Sequence, residues 1–113
     1  MKVLDSLYAE IVGGWFIGDF EPSAYRTRDF EVCYKIHPKG EKWPTHYHEH
    51  SIEINYLMHG KMTINNVLLE APVIFILEKG EPAKPGFLED CELIVVRVPS
   101  IPDDKIIVEG ELE

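Results

Sequence analysis

The chain has 113 residues and a mass of 13.0 kDa, which suits one domain rather than two. Hydrophobic residues make up 45% and charged residues 27%, a globular composition that argues against disorder. Eleven Lys and Arg against twenty Asp and Glu give a net charge of −9, so the clustered positive charge needed to track nucleic acid or an anionic membrane is absent.

The start, Met1-Lys2-Val3-Leu4-Asp5-Ser6, has no apolar stretch of signal-peptide length. Residues 1–11 read as one weak helical turn or an irregular lead-in. Glu10 to Phe20 is aromatic, glycine-broken and strand-like, and Glu21-Pro22-Ser23 ends it. From Asp29 to His37, Phe30, Val32, Tyr34 and Ile36 alternate with Glu31, Cys33 and Lys35, the period of a half-buried strand. Pro38-Lys39-Gly40 closes that strand. Thr45 to His50 opens a further extended piece. Ile52 to Met58 and Lys61 to Leu69 flank His59-Gly60, which reads as a hairpin turn, and Asn65-Asn66 reads as a second turn. Pro72 to Leu77 and Leu93 to Val98 suit buried strands, with a loop holding Gly80, Pro82, Pro85 and Gly86 between them. Pro99 and Pro102 open a tail in which Ile106-Ile107-Val108 suggests one last edge strand.

Short strands at close spacing, punctuated by Gly and Pro, predict an all-β sandwich or barrel. The longest apolar runs, such as Val73 to Leu77, fall far short of the roughly 18 residues of a membrane span. Cys33 and Cys91 form no CxxC pair and read as small buried hydrophobes rather than a disulfide or ligands. The expectation is a soluble, cytoplasmic protein.

His46, His48 and His50 fall within five residues, and Glu53 follows. Residues two apart on a strand share a face about 6.6 Å apart, so two imidazoles can converge on one ion. A third imidazole, about 13 Å from the first on an extended strand, cannot reach bonds near ~2 Å without a bend. Two histidines plus another donor is the natural division, and Glu53 can return on the neighbouring strand beyond the Glu49-to-Ser51 turn.

Gly40, His46, His48, Glu53 and Gly60 fit G-x5-H-x-H-x4-E-x6-G with every fixed position filled. That spacing resembles the first motif of the cupin superfamily, small jelly-roll-like β-barrels of the double-stranded β-helix type. The second cupin motif survives in fragments, with Glu78 where its proline stands and Ala83 where its histidine stands. The likeness covers about residues 29–99, and the Val96-to-Lys105 end is similar to that of small single-domain cupins of unassigned function. It implies a single domain with an N-terminal arm over about 1–28, a barrel over 29–99 and a tail over 100–113. It also implies metal ligation by His46, His48 and Glu53, with His50, Glu78 or Glu81 as additional donors in place of Ala83. Two histidines, one carboxylate and open positions suit Fe(II), and Mn, Ni or Zn are chemically acceptable.

Three functions follow from that resemblance. A metal-dependent oxygenase, isomerase or lyase would polarise a small polar metabolite on the ion. A metal-free carbohydrate or sugar-nucleotide isomerase or epimerase would use His46 or His48 as base and Tyr34 or Tyr56 as acid. A non-catalytic module would only hold its ligand. His37 and His59 read as strand ends and turns, Trp15, Phe16, Phe20, Phe30 and Phe75 as packing, and Arg97 as half of an ion pair. The aromatic N-terminal residues and an apolar sheet face to cover predict a homodimer.

Overall fold

The structure, a computed structural model, describes residues 1–6 and 10–108. Part of the expected N-terminal lead-in and the last residues of the tail lie outside the described residues. Ten strands are described: β1 (Trp15–Ile17), β2 (Glu31–His37), β3 (His46–His48), β4 (Ile52–His59), β5 (Lys61–Ile64), β6 (Val67–Glu70), β7 (Val73–Leu77), β8 (Pro85–Phe87), β9 (Cys91–Val98) and β10 (Lys105–Ile107). One wall is a five-stranded antiparallel sheet in the order β1-β2-β9-β4-β7. The other combines the pair β10-β3 with the triplet β6-β5-β8. Residues 80–83 join its two parts. Gly80 N donates to His48 O (2.7 Å), Ala83 N to His46 O (2.8 Å) and His46 N to Ala83 O (3.1 Å) before the chain enters β8.

Pairing across the five-stranded sheet carries one parity through four strands. Glu31, Arg97, Glu53 and Leu77 share a row, and so do Cys33, Val95, Asn55 and Phe75. These odd-numbered residues face inward, toward a core built on Cys33, Leu57, Met62, Phe87, Cys91, Leu93 and Val95. The even-numbered rows, Tyr34-Ile94-Tyr56-Ile74 and Val32-Val96-Ile54-Ile76, face outward. In β2 the more apolar face is therefore the outer one: Ile36 is 63% exposed, while Glu31 and Cys33 are buried. The neighbouring strands decide this. Slipping β2 by one residue would break its register with β9, whose Leu93 and Val95 belong to the core.

Asn65 and Asn66 both take positive φ (52° and 66°) and close the β5–β6 hairpin, the geometry of a type I′ turn. His59-Gly60, expected to be a hairpin turn, is instead a corner: β4 pairs with β7 and β9, and β5 starts the opposite wall. Gly60 has a φ of 99°, and a Cβ there would lie 2.4 Å from Asp90 O, so the corner requires glycine. Two strands fall outside the barrel limits expected from sequence. β1 extends the large sheet, and β10 pairs with β3. Asp104, beside β10, accepts hydrogen bonds from His50 N (3.0 Å) and Ser51 N (3.0 Å), tying the tail to the turn between β3 and β4.

Candidate functional site

Between the two walls lies a cavity of about 230 Å³. Its floor is apolar, with Met62 and Phe87 from one wall facing Phe75, Leu93 and Val95 from the other. Its polar groups come from both walls: Lys35, Glu53, Asn55 and Arg97 from the large sheet, His46 and Lys105 from β3 and β10. Trp15 and Trp43 stand beside them. The Arg97 guanidinium lies 4.4 Å from the Trp15 ring centre, and Lys105 Nζ lies 4.0 Å from that of Trp43, both within cation–π range.

His46 and His48 project from one strand with ring centres 5.6 Å apart, edge to face. His46 lines the cavity, and its Nδ1 pairs with Pro44 O at 3.1 Å. A carbonyl only accepts, so Nδ1 carries the hydrogen and Nε2 keeps its lone pair. Burial lowers the His46 pKa, leaving a neutral imidazole. His48 lies deeper, with Nδ1 3.6 Å from Glu53 Oε2 and its buried Nε2 without a hydrogen-bond partner among the described residues. Burial, then Arg97, lowers its pKa to about 4 against the pull of Glu53.

Glu53 is 7% exposed. Burial pushes its pKa up, but the Arg97 guanidinium beside it outweighs that and holds the carboxyl ionised. Arg97 Nε donates to Glu53 Oε2 at 2.9 Å, and its NH1 lies 3.9 Å from Glu31 Oε2. The expected ion pair of Arg97 is thus present, with two buried carboxylates rather than one.

These distances test the metal site that the cupin resemblance implies. The two imidazoles are adjacent, but the carboxylate is already held by Arg97. Among the described residues no three His, Cys, Asp or Glu are placed to hold one ion. As placed, the three donors are not gathered about one point, with Glu53 turned to Arg97. Ala83 does sit where the missing imidazole was expected, against His46 and on the cavity wall. The additional donors do not converge there. His50 is exposed and lies 3.8 Å from Glu49. Glu78 and Glu81 are exposed on the turn after β7, where Glu81 Oε1 accepts from Glu78 N.

Two further expectations change. Tyr34 and Tyr56 occupy even positions and face outward, and Tyr34 donates to Glu92 Oε1 at 2.6 Å, so neither is an acid inside the barrel. His37 does more than end β2. It lines the cavity, stacks on Phe87 with ring centres 4.4 Å apart and pairs with Glu41. His59 stays exposed at the end of β4. Both cysteines are unpaired and buried, as expected, and burial pushes the Cys33 thiol up to about 12. Lys105, Lys35, Trp43 and Asn55 were not singled out from sequence. The inward parity of β2 and β4 is the signal that finds Lys35 and Asn55.

The chain has the double-stranded β-helix fold of the cupins. No family model matches its sequence, and none of the curated proteins does. Solved structures do. An uncharacterised conserved protein with a double-stranded β-helix domain from Klebsiella pneumoniae subsp. pneumoniae MGH 78578 is 20% identical with a TM-score of 0.65, covering 74% of each chain. KdgF from Halomonas sp. is 21% identical with a TM-score of 0.60, over 68% of this chain and 76% of that one. The DMSP lyase DddQ from Ruegeria pomeroyi DSS-3 is 15% identical with a TM-score of 0.66, over 93% of this chain and 57% of that one. Identities this low speak for the fold alone. Among the described residues no helix is long and apolar enough to cross a membrane.

Proposed function

We propose that the protein is a small-molecule cupin whose cavity takes a small polar metabolite, with His46 as the proton acceptor at the reacting end. The observation that carries this is the contact of His46 Nδ1 with Pro44 O in a ring that lines the cavity: an Nδ1–H donating to that carbonyl leaves a neutral Nε2 for the ligand. A base so placed serves isomerisation or elimination at an acidic C–H. The neighbours include a lyase and an oxalate oxidase, and the fold does not choose among such chemistries. At about 230 Å³ the cavity is below the ~300–1,000 Å³ of drug-sized sites, which favours a small ligand. The test is a thermal-shift screen of small polar metabolites on wild type and His46→Gln. A true ligand stabilises wild type by about 2.7 kcal/mol at a hundredfold excess over its Kd and still binds His46→Gln, which does not turn it over. Stabilisation by none of them removes the reading.

A metal held by His46 and His48 is the second reading, favoured by the buried, unpartnered Nε2 of His48. It requires Arg97 to release Glu53, or water and ligand to complete the shell. Protein purified without chelator or added metal should then contain stoichiometric Fe, Mn, Ni or Zn that His46→Ala loses. Ala83→His should tighten Mn(II) binding. No metal in either preparation ends this reading.

The partner read from the outer face of the large sheet is a second copy of the chain. Two apolar rows cross β2, β9, β4 and β7 there. At about 4.8 Å between strands they form a band roughly 14 Å wide from the first strand to the fourth. In a chain of charge −9, two rows that carry no charged side chain are where two copies can approach, and a two-fold axis matches such a surface to itself.

A further inference from the structure

We propose that the cavity selects a small organic anion, an apolar body bearing one carboxylate, through Lys105, Lys35 and Arg97. This rests on the cavity being the binding site.

The chain is strongly acidic, yet the cavity wall reverses that sign. Three cations line it, Lys35, Arg97 and Lys105, against a single carboxylate, Glu53. Arg97 is committed to Glu53 and Glu31. The two lysines are not: among the described residues neither has a carboxylate within ion-pairing distance. Asp104, next to Lys105 in the chain, turns away to the His50 and Ser51 amides, Asp103 is exposed, and Glu41 is engaged by His37. What Lys105 meets instead is the face of Trp43 at 4.0 Å; burial and the repulsion of Arg97, and less strongly of Lys35, lower its pKa against the pull of the more distant Glu53. Three half-buried cations against one lining carboxylate leave a surplus of positive charge in the cavity wall, and an anion entering between the lysines offsets it. The floor of Met62, Phe75, Phe87 and Val95 has no hydrogen bonds to offer, so the part of the ligand that rests on it is apolar.

The test compares three probes of one shape, benzoate, benzamide and benzylamine, titrated into the protein at low ionic strength and followed by calorimetry and by amide chemical shifts. Benzoate should bind, and benzamide should bind about tenfold or more weakly, the value of one charge-assisted contact. Benzylamine should not bind, and added salt should weaken benzoate alone. Lys105→Met should bring benzoate down to the level of benzamide, and Lys35→Met provides the same comparison if the first variant does not fold. Equal binding of all three probes in wild type would leave the cavity as a binding site and overturn the anion. Tighter binding of benzylamine would do the same. Absence of all three would remove the cavity reading with it. Inorganic phosphate matching benzoate would overturn the apolar body.

Discussion

The two faces of the five-stranded sheet reverse the usual arrangement. Its outer side carries Val32, Tyr34, Ile54, Tyr56, Ile74, Ile76, Ile94 and Val96, whereas its inner side carries Glu31, Lys35, Glu53, Asn55 and Arg97 among the core residues. In a typical half-solvated sheet the polar face meets water. Here several charges are inside, with Arg97 pairing Glu53 and Glu31, and much of the apolar surface is outside. Groups of this kind persist in a core when paired or when a ligand completes them, and the Arg97 pairs with Glu53 and Glu31 supply the first of these. The outer apolar rows are the surface assigned to a second copy of the chain, and apolar patches of this kind mark contact sites.

The largest test of that contrast is Arg97→Met. It leaves Glu53 and Glu31 buried without their cation and should destabilise the fold by about 3–5 kcal/mol at pH 7, measured by urea unfolding. Because Arg97 holds the Glu53 pKa down, its stabilisation is present above the unfolded carboxylate pKa and is lost as pH falls through the folded value. The gap between variant and wild type should therefore shrink below about pH 4.3. An equal gap at all pH values would mean that Arg97 contributes packing and not charge.

A smaller effect should come from His48. Its folded pKa of about 4 lies below the unfolded value of ~6.5, so the unfolded chain binds the proton first. Stability should be full above pH ~6.5 and fall by up to about 3 kcal/mol as the pH drops toward 4. His48→Gln should flatten the curve in that window. An unchanged curve would mean that His48 is not held neutral by its burial.

The smallest change in folding stability belongs to the outer face. Ile74 is 63% exposed and Ile76 52%, so Ile74→Lys and Ile76→Lys should shift the intrinsic stability of the chain by no more than about 0.5 kcal/mol. In light scattering the same variants should lower the mass from twice the chain mass to 13.0 kDa. A wild type already at the single-chain mass would leave the apolar rows without the partner assigned to them.

Much of this barrel was legible in the residues. Turn chemistry at Asn65-Asn66 and the alternation of β2 are local signals, and the G-x5-H-x-H-x4-E-x6-G spacing placed His46, His48 and Glu53 near one another. What was not legible depends on pairing between distant segments. The apolar face of β2 turned outward because β9 sets its register. His59-Gly60 read as a hairpin because a corner and a hairpin use the same glycine. Tyr34 and Tyr56 looked like site residues until parity put them outside, and Arg97 reaches Glu53 only because β9 pairs with β4. Lys105 was hidden longest, since nothing in Asp103-Asp104-Lys105 says that β10 lies against β3.

The tie between Asp104 and the His50 and Ser51 amides has a consequence for the order of events during synthesis. The turn that separates His48 from Glu53 is completed by a carboxylate more than fifty residues further along the chain, and β3 gains its β10 neighbour from the same late segment. A ribosome that has released the chain only as far as β9 has delivered His46, His48, Glu53 and Arg97, but neither that carboxylate nor Lys105. Contacts of such long range form late, after loop closure has been overcome. The nascent barrel thus carries its charged interior incomplete, and open to solvent along β3, until its final strand arrives.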